Sequence, residues 1–413
     1  SVGAILPFLA ALTSPEQLYQ HQLMQPVIQI LNITEPSQLM LPLSILFIIA
    51  ALLAGVIRLV LLYGITKFSY AVGADLGINM YRRTLYQEYA VHISRNSSEV
   101  INGIISKTNT VIGGVVFPTL SLISSIILLV GIISILLLIN TTVALSASIG
   151  FGLFYWLVIR ITGARLKENS QIIAEQSTQL IKALQEGLGG IRDVLIDGAQ
   201  PFYCQLYRNA DLPFRRASGD NVFISGSPRY AMEAIGMALI AGFAYLITQQ
   251  EGSTVTVIPI LGALALGAQK LLPMLQQAYA AYSAIKGSKS SFEDVLNLLD
   301  QPLPEYSEHL SINPICFEDG IKLTDLGFRY TVDSQRVLKN INLTIKKGAR
   351  IGFIGATGSG KSTLLDIIIG LLPPTHGKLI IDQQLINVQN RRAWQLHIAH
   401  VPQNIYLSDS SIE

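Results

Sequence analysis

Charge is scarce in this sequence. Only 14% of the 413 residues are Asp, Glu, Lys or Arg, and half are hydrophobic, whereas soluble domains carry roughly 25% charged residues. The shortage is uneven: Thr108 to Ile159 contains no Asp, Glu, Lys, Arg or His. A water-soluble domain cannot cover so long an uncharged run, so the first reading is a membrane protein. Cysteine is nearly absent, and two distant thiols, Cys204 and Cys316, exclude a disulfide framework or a Cys/His metal centre. A net charge of +2 gives no special attraction to nucleic acid, and no nucleic-acid partner is expected. The apolar run Val2 to Leu12 has no basic residue ahead of it, which excludes the secretory-signal pattern. It is about half the roughly 20 residues a spanning helix needs. A first helix clipped at its start is expected, with the sequence a fragment at both ends.

Apolar runs long enough to span follow. Leu39 to Tyr63 has Arg58 as its only charge, and the polar cluster Asn140, Thr141 and Thr142 divides the uncharged stretch into Val111 to Ile139 and Val143 to Ile159. Tyr230 to Thr248 and Val255 to Leu272 make a further pair, separated by Gln249 to Thr254. With the clipped run, six spans are expected. Thr13 to Gln38 and both hairpin turns lack Lys and Arg. The connections between spans two and three (Lys67, Arg82, Arg83, Arg95, Lys107) and between spans four and five (Arg160, Arg165, Lys167, Lys182, Arg192, Arg208, Arg215, Arg216) are basic. Both are therefore placed in the cytoplasm. Ile173, Leu180, Leu184, Leu188, Ile191 and Leu195 recur at helical spacing. The spans are thus expected to continue as cytosolic helices that turn back near His92 to Ser97 and Gly190 to Gly198. Arg58 and Glu233 are candidate transport charges, or ordinary charges that snorkel or pair near helix ends.

After Lys270 the character changes through Lys286 and Ser288. Lys289, Ser290, Pro302, Pro304 and Pro314 suit a linker, and from Ile321 onward the pattern is soluble α/β. The expected organisation is a transmembrane domain over residues 1–285, a linker over 286–319 and the beginning of a nucleotide-binding domain over 320–413. Strands are expected over Ile321 to Leu326, Leu338 to Ile345 and, buried, Ala349 to Ile354. Directly after the last comes Gly355-Ala356-Thr357-Gly358-Ser359-Gly360-Lys361-Ser362, then Thr363. The segment fits the phosphate-binding loop G-x-x-x-x-G-K-[ST]. Glycines let successive N–H groups turn onto a phosphate, the lysine neutralises the β and γ oxygens, and the serine hydroxyl ligates Mg2+. A helix over Ser362 to Leu371, stopped by Pro373-Pro374, would present its positive end to the phosphates. The cofactors expected are ATP and Mg2+.

Other candidates are weaker. Leu379-Ile380-Ile381-Asp382 resembles a strand ending in a metal-binding aspartate, but Gln383 follows where a catalytic carboxylate is needed, and it reads as an ordinary strand and turn. His376, His397 and His400 lack ligand spacing and read as structural. Asn32-Ile33-Thr34 is a glycosylation sequon by pattern.

The order of six spans, long cytoplasmic helical connections, linker and phosphate-loop domain resembles the ABC exporters. The fold this implies is a membrane all-α domain, the six-helix exporter transmembrane domain, followed by a truncated α/β P-loop nucleotide-binding domain. The resemblance implies an adenine-stacking role for Tyr330, in Phe328-Arg329-Tyr330, and a magnesium-contacting, γ-phosphate-sensing role for Gln403, in Val401-Pro402-Gln403-Asn404. Lys361 and Gln403 would serve catalysis, and Ser362 and Gln403 the metal. The two cytoplasmic turns would be the coupling helices. The signature segment, the aspartate-glutamate pair and the switch histidine would lie beyond Glu413, so the fragment alone is expected to be inactive. For the intact protein the resemblance implies a half-transporter with ATP hydrolysis coupled to transport, a second half as partner in a homodimer, membrane lipids, and an amphiphilic cargo. The expected location is the bacterial inner membrane, with the nucleotide-binding domain in the cytoplasm. Arg95-Asn96-Ser97-Ser98-Glu99, Ser227-Pro228-Arg229-Tyr230 and Gly355 to Asp366 look most like lipid-linked oligosaccharide flippases. A non-pumping ABC-type channel or regulatory membrane protein is the alternative.

Overall fold

The computed structural model describes Glu16, Tyr19, Gln25, Ile28 and residues 35–139, 141–249, 254–304, 313–331 and 333–402. The expected first span, the sequon at Asn32 and Gln403 lie outside the described residues. The chain divides into two compact units. One holds the described residues up to Met80 together with Ile101–Leu299, and the other holds Tyr81–Val100 with the described residues from Asp300 onward.

The described residues of the first unit are almost all helical. Helix α1, Met40–Leu85, is 46 residues long, about 70 Å at 1.5 Å per residue. None of its most apolar window is buried within the chain, and Leu46, Ile49, Leu52, Leu53, Ile57 and Val60 all lie open. Apolar surface on that scale has no stable place in water and calls for lipid. Three helical stretches among the described residues, Met40–Leu85, Ser97–Leu137 and Ser148–Gly189, are long and apolar enough to cross a membrane. The fifth and sixth expected runs fall in helices too, at the end of one over Gln200–Gln249 and the start of one over Thr254–Gly287.

Numbered in chain order after α1, the elements are α2 (Tyr89–Ser94), α3 (Ser97–Asn102), α4 (Thr108–Val111), α5 (Phe117–Ile139), α6 (Thr141–Gly189), α7 (Ile191–Ile196), α8 (Gln200–Gln249), α9 (Thr254–Gly287) and α10 (Lys289–Leu299). Gly103–Lys107 and Ile112–Val116 are wound as π-helix. α10 lies within the stretch expected as a linker. Phe151, Tyr155, Met232 and Tyr279 form one buried cluster, which joins α6, α8 and α9. Polar links reinforce the bundle: Gln277 donates to Ser121 (2.8 Å), Asn169 to Asn221 (2.9 Å), and Asn102 to Ser177 and Thr178 (2.9 and 3.0 Å). A second cluster of Met80, Val111 and Val295 seats α10, beside which the nearly buried Lys107 ammonium meets Asp294 at 2.5 Å. Glu233 pairs with Arg229 one turn away at 2.9 Å, the ordinary reading of that charge.

The turn expected near His92 to Ser97 overlaps the end of the six-residue helix α2, and the one expected near Gly190 to Gly198 contains the six-residue helix α7. Asn96 stops the chain between α2 and α3, its side-chain oxygen accepting from the Ser98 N–H (3.0 Å) and hydroxyl (2.7 Å), an N-terminal cap. Gly198, at φ +63°, opens the second turn on the far side of α7. That conformation is costly for a residue with a Cβ.

The second unit is built on a four-stranded antiparallel sheet, β2-β1-β3-β4, with β1 over Gly320–Phe328, β2 over Leu338–Lys346, β3 over His376–Ile381 and β4 over Gln384–Leu385. Leu323 stands opposite Leu343 on one side and Leu379 on the other. Helix α11, Lys361–Ile368, packs Leu364, Ile367 and Ile368 against Leu323, Leu326, Phe328, Leu379 and Ile381. Trp394, on the short helix α12 (Arg391–Gln395), closes this core and donates its indole N–H to the Ile368 carbonyl at 2.8 Å. The first two expected strands are therefore present, slightly longer than expected. The third is not: Ala349 to Ile354 runs without strand pairing, Ile351 is 45% exposed and Ile354 98%. Among the described residues this segment pairs with no strand, and the sheet runs β2-β1-β3-β4 without it. A run of strand-forming residues without a partner cannot become a buried strand. Phe353 alone reaches the core.

Tyr81–Val100 belongs to this unit through named bonds. Arg83 donates to the Gln301 carbonyl (2.6 Å) and Gln87 to the Pro302 carbonyl (2.9 Å). Arg391, its side chain only 12% exposed, pairs with Glu88 at 3.1 Å.

Asp382 turns β3 into β4 with φ +43°, and its carboxylate accepts the backbone N–H groups of Glu318, Gly320 (2.7 Å) and Asp319 (2.8 Å). These bonds, Glu318's foremost, with Lys347 adding to them, hold its pKa below the usual carboxylate range. A lowered folded pKa makes this contribution complete above the unfolded value of about 3.9, and lost as pH falls from there through the folded one. Asp382→Asn should therefore lower the melting midpoint at neutral pH, and the gap to the parent should close below about pH 4. Trp394 fluorescence in a Trp156→Phe background reads this out. A gap constant from pH 7 to pH 3 would show that the ionised carboxylate is not what stabilises the turn.

Candidate functional site

The site is assembled where the unpaired run ends. Residues 355–360 form a tight, exposed loop that delivers the chain into α11. Gly358 sits at φ +83° and Gly360 at φ +87°. A side chain at Gly360 would be strained twice: by its left-handed backbone, and by the Leu338 and Val337 side chains, 2.9 and 3.1 Å from where its Cβ would stand. At Gly355 a Cβ would come within 2.8 Å of the Ser359 hydroxyl. Gly358 and Gly360 are thus required by the shape of the loop.

Lys361 begins α11 and folds back over the loop. Its ammonium donates to the carbonyls of Gly355 (2.9 Å) and Ala356 (2.8 Å), with the Ser359 hydroxyl at 3.4 Å. The cation is thereby centred on the mouth of the loop, beside the N-terminal end of α11, where helical N–H groups lack intrahelical partners. Ser362 is exposed at the same mouth, whereas Thr363 turns inward and is buried. Burial of Leu364, Ile367 and Ile368 anchors the helix, so the loop rests on a fixed base. Burial also raises the pKa of Asp366, further along α11, with His400 pulling the other way.

Tyr330 leaves β1 beside this helix. Its hydroxyl lies 2.9 Å from that of Thr363, and its ring meets Phe328 edge-on, with centroids 5.0 Å apart and planes at 88°. Gly355, Ala356, Thr357, Gly358, Ser359, Gly360, Lys361, Ser362, Thr363 and Tyr330 therefore share one locality. Asp382 stands apart as the turn described above. His376 faces Asp325 at 3.1 Å, and the His397 ring meets the Ile315 carbonyl, so both serve local structure. Sequence reasoning missed the Tyr330–Thr363 contact and the Glu88–Arg391 pair. Neither carries a local signal, because each joins distant stretches through tertiary packing.

Comparison with known proteins follows the same division. Residues 338–412 match the family described as ABC transporter, and residues 3–266 the ABC transporter transmembrane region. Over 257 residues the chain is 26% identical to an ATP-dependent lipid A-core flippase of Chromohalobacter salexigens, covering 62% of this chain and 44% of that protein. A flippase of the same name from Burkholderia pseudomallei is 21% identical over 342 residues, 82% of this chain and 56% of its own length. The heterocyst differentiation ATP-binding protein HepA of a Nostoc species is 22% identical over 426 residues, spanning 100% of this chain and 67% of that one. The chain thus spans about half the length of the flippases it matches. A bacterial Atm1-family ABC exporter solved with ATP bound shares the fold at a TM-score of 0.67 and 19% identity, over 93% of this chain and 68% of that one. With its membrane-spanning helices matched over residues 3–266 and its phosphate loop inside the match over 338–412, this chain is an integral membrane protein of the ABC transporter family.

Proposed function

We propose that this chain is part of an ATP-driven half-transporter that exports or flips a lipid, a lipid-linked glycan or another amphiphile. One observation carries the reading: the loop closed around Lys361 lies in the same compact unit as Tyr81–Val100, the segment that joins α1 to the helices beginning at Ser97. Within this unit, Tyr81–Val100 is tied to the rest by the bonds of Arg83, Gln87 and Glu88 described above. The names of the flippase relatives support a lipidic cargo and the bacterial inner membrane. A transmembrane domain over 1–285, a linker over 286–319 and a nucleotide-binding portion over 320–413 accord with this reading.

In it, the loop N–H groups and Lys361 hold the ATP phosphates, and Tyr330 stacks on the adenine. The exposed Ser362 hydroxyl is an oxygen donor of the kind Mg2+ takes, and Gln403 would join it. The metal would neutralise phosphate charge during transfer. Ile191, Leu195 and Ile196 leave α7 with an open apolar face, which suits docking in a homodimer of half-transporters.

Lys361→Ala in the full-length protein should cut ATPase activity about a hundredfold or more, the scale seen when a preorganised charge-stabilising group is removed. Transport in proteoliposomes should fall with it, while the helical circular-dichroism signal is kept. Unchanged turnover would reject the assignment. If Glu88 and Arg391 transmit the nucleotide state, Glu88→Arg or Arg391→Glu should each uncouple ATP hydrolysis from transport. The double exchange should restore a pairing energy of about 1 kcal/mol. Double-mutant analysis of transport per ATP measures it, and additive losses would exclude the pair from coupling.

A further inference from the structure

Tyr330 and Thr363 reach the nucleotide site from different elements, the exit of β1 and the first turn of α11, yet their hydroxyls meet at 2.9 Å. Tyr330 is 47% exposed and Thr363 only 5%. A tyrosine that open would ordinarily give its hydroxyl to water and let its ring sample several rotamers. Here both ends of the side chain are held, the ring by the edge-on contact with Phe328 and the phenol by Thr363. The ring contact needs no hydroxyl and would be kept by phenylalanine. The phenol therefore has a role separate from the aromatic face.

That role follows from hydroxyl chemistry. Each hydroxyl donates one hydrogen bond and accepts up to two. The phenol is the stronger acid and so the better donor, which leaves the threonine proton free for a second acceptor. A ring already held in place loses less freedom when a ligand stacks on it, and the saving appears as affinity. We propose that Thr363 is a positioning residue that holds the Tyr330 ring as a preformed platform for the adenine base, through the hydrogen bond between their two hydroxyls. The inference rests on the ATP-site reading above and adds to it a specific function for the phenol and for Thr363.

The experiment is nucleotide binding to the full-length protein with Tyr330→Phe, Thr363→Val, Thr363→Ser and the double variant Tyr330→Phe/Thr363→Val. Two probes are used: ATP, and inorganic tripolyphosphate, which carries phosphates without a base. Tyr330→Phe should weaken ATP binding by about 3- to 10-fold, the net effect of one hydrogen bond, and leave tripolyphosphate affinity unchanged. Thr363→Val should weaken ATP binding similarly, Thr363→Ser should restore it, and the double variant should be no weaker than the worse single one. Tyr330→Phe keeps the ring and its packing, so it tests the phenol even where Thr363→Val disturbs the buried turn. Full ATP affinity in Tyr330→Phe, an equal loss for tripolyphosphate, or losses that multiply in the double variant would overturn the proposal. Lys361→Ala separates the two levels. If it abolishes ATP binding while Tyr330→Phe does nothing, the site stands and the platform falls; if the parent protein binds no ATP, both fall.

Discussion

The bilayer interior has no water to satisfy a peptide group, and this constraint shapes most of the chain. Each spanning segment must close its own backbone hydrogen bonds, which only a helix does within one segment. The near absence of charge over Thr108 to Ile159 and the open apolar surface of α1 are two expressions of that condition. The helices then need polar contacts to choose their neighbours, because apolar packing alone does not distinguish a neighbouring helix from lipid. Gln277 with Ser121 supplies one such contact, while Asn169 with Asn221 and Asn102 with Ser177 and Thr178 join helices of the bundle in the stretches beyond the apolar runs.

The second unit obeys a different physics. Its sheet and helices bury a core centred on Leu326, Ile367, Ile381 and Trp394, and the loop that holds Lys361 is positioned by that core. Gly358 and Gly360 turn the chain in conformations other residues avoid, and α11 is fixed from behind by its apolar face. The lysine ammonium is satisfied by loop carbonyls. On the proposed reading the cation is thereby held in place before a phosphate binds, which reduces the reorganisation that binding requires. From the far end of α11, Trp394 and then Arg391 lead to Glu88 at the entry of α2, so one short helix touches both the phosphate-loop helix and the segment between membrane helices.

Legibility divided along the same physical lines. Composition and the spacing of apolar residues were sufficient for the long helices, the turns near α2 and α7, and β1 and β2, since these depend on patterns within a short window. The phosphate loop was legible because its glycines answer to backbone conformation, a local property. Ala349 to Ile354 was misread as a buried strand because β-structure depends on a partner elsewhere in the chain, and none of the described strands supplies one. α10 and the π-helical turns at Gly103–Lys107 and Ile112–Val116 were also missed. They are set by close packing, as where Gly114 lies against Ser288 and Gly103 against Leu298.

By itself the sequence determined that this protein is a membrane-embedded helical chain joined to a phosphate-binding module, because hydropathy and glycine-dependent turns act over short distances. Tertiary structure decided which distant groups meet: the Tyr330 phenol with Thr363, Glu88 with Arg391, Lys107 with Asp294, and the backbone of Glu318 to Gly320 with Asp382. Those meetings depend on where whole helices and strands come to rest, and no local pattern encodes the distance between residues far apart in the chain.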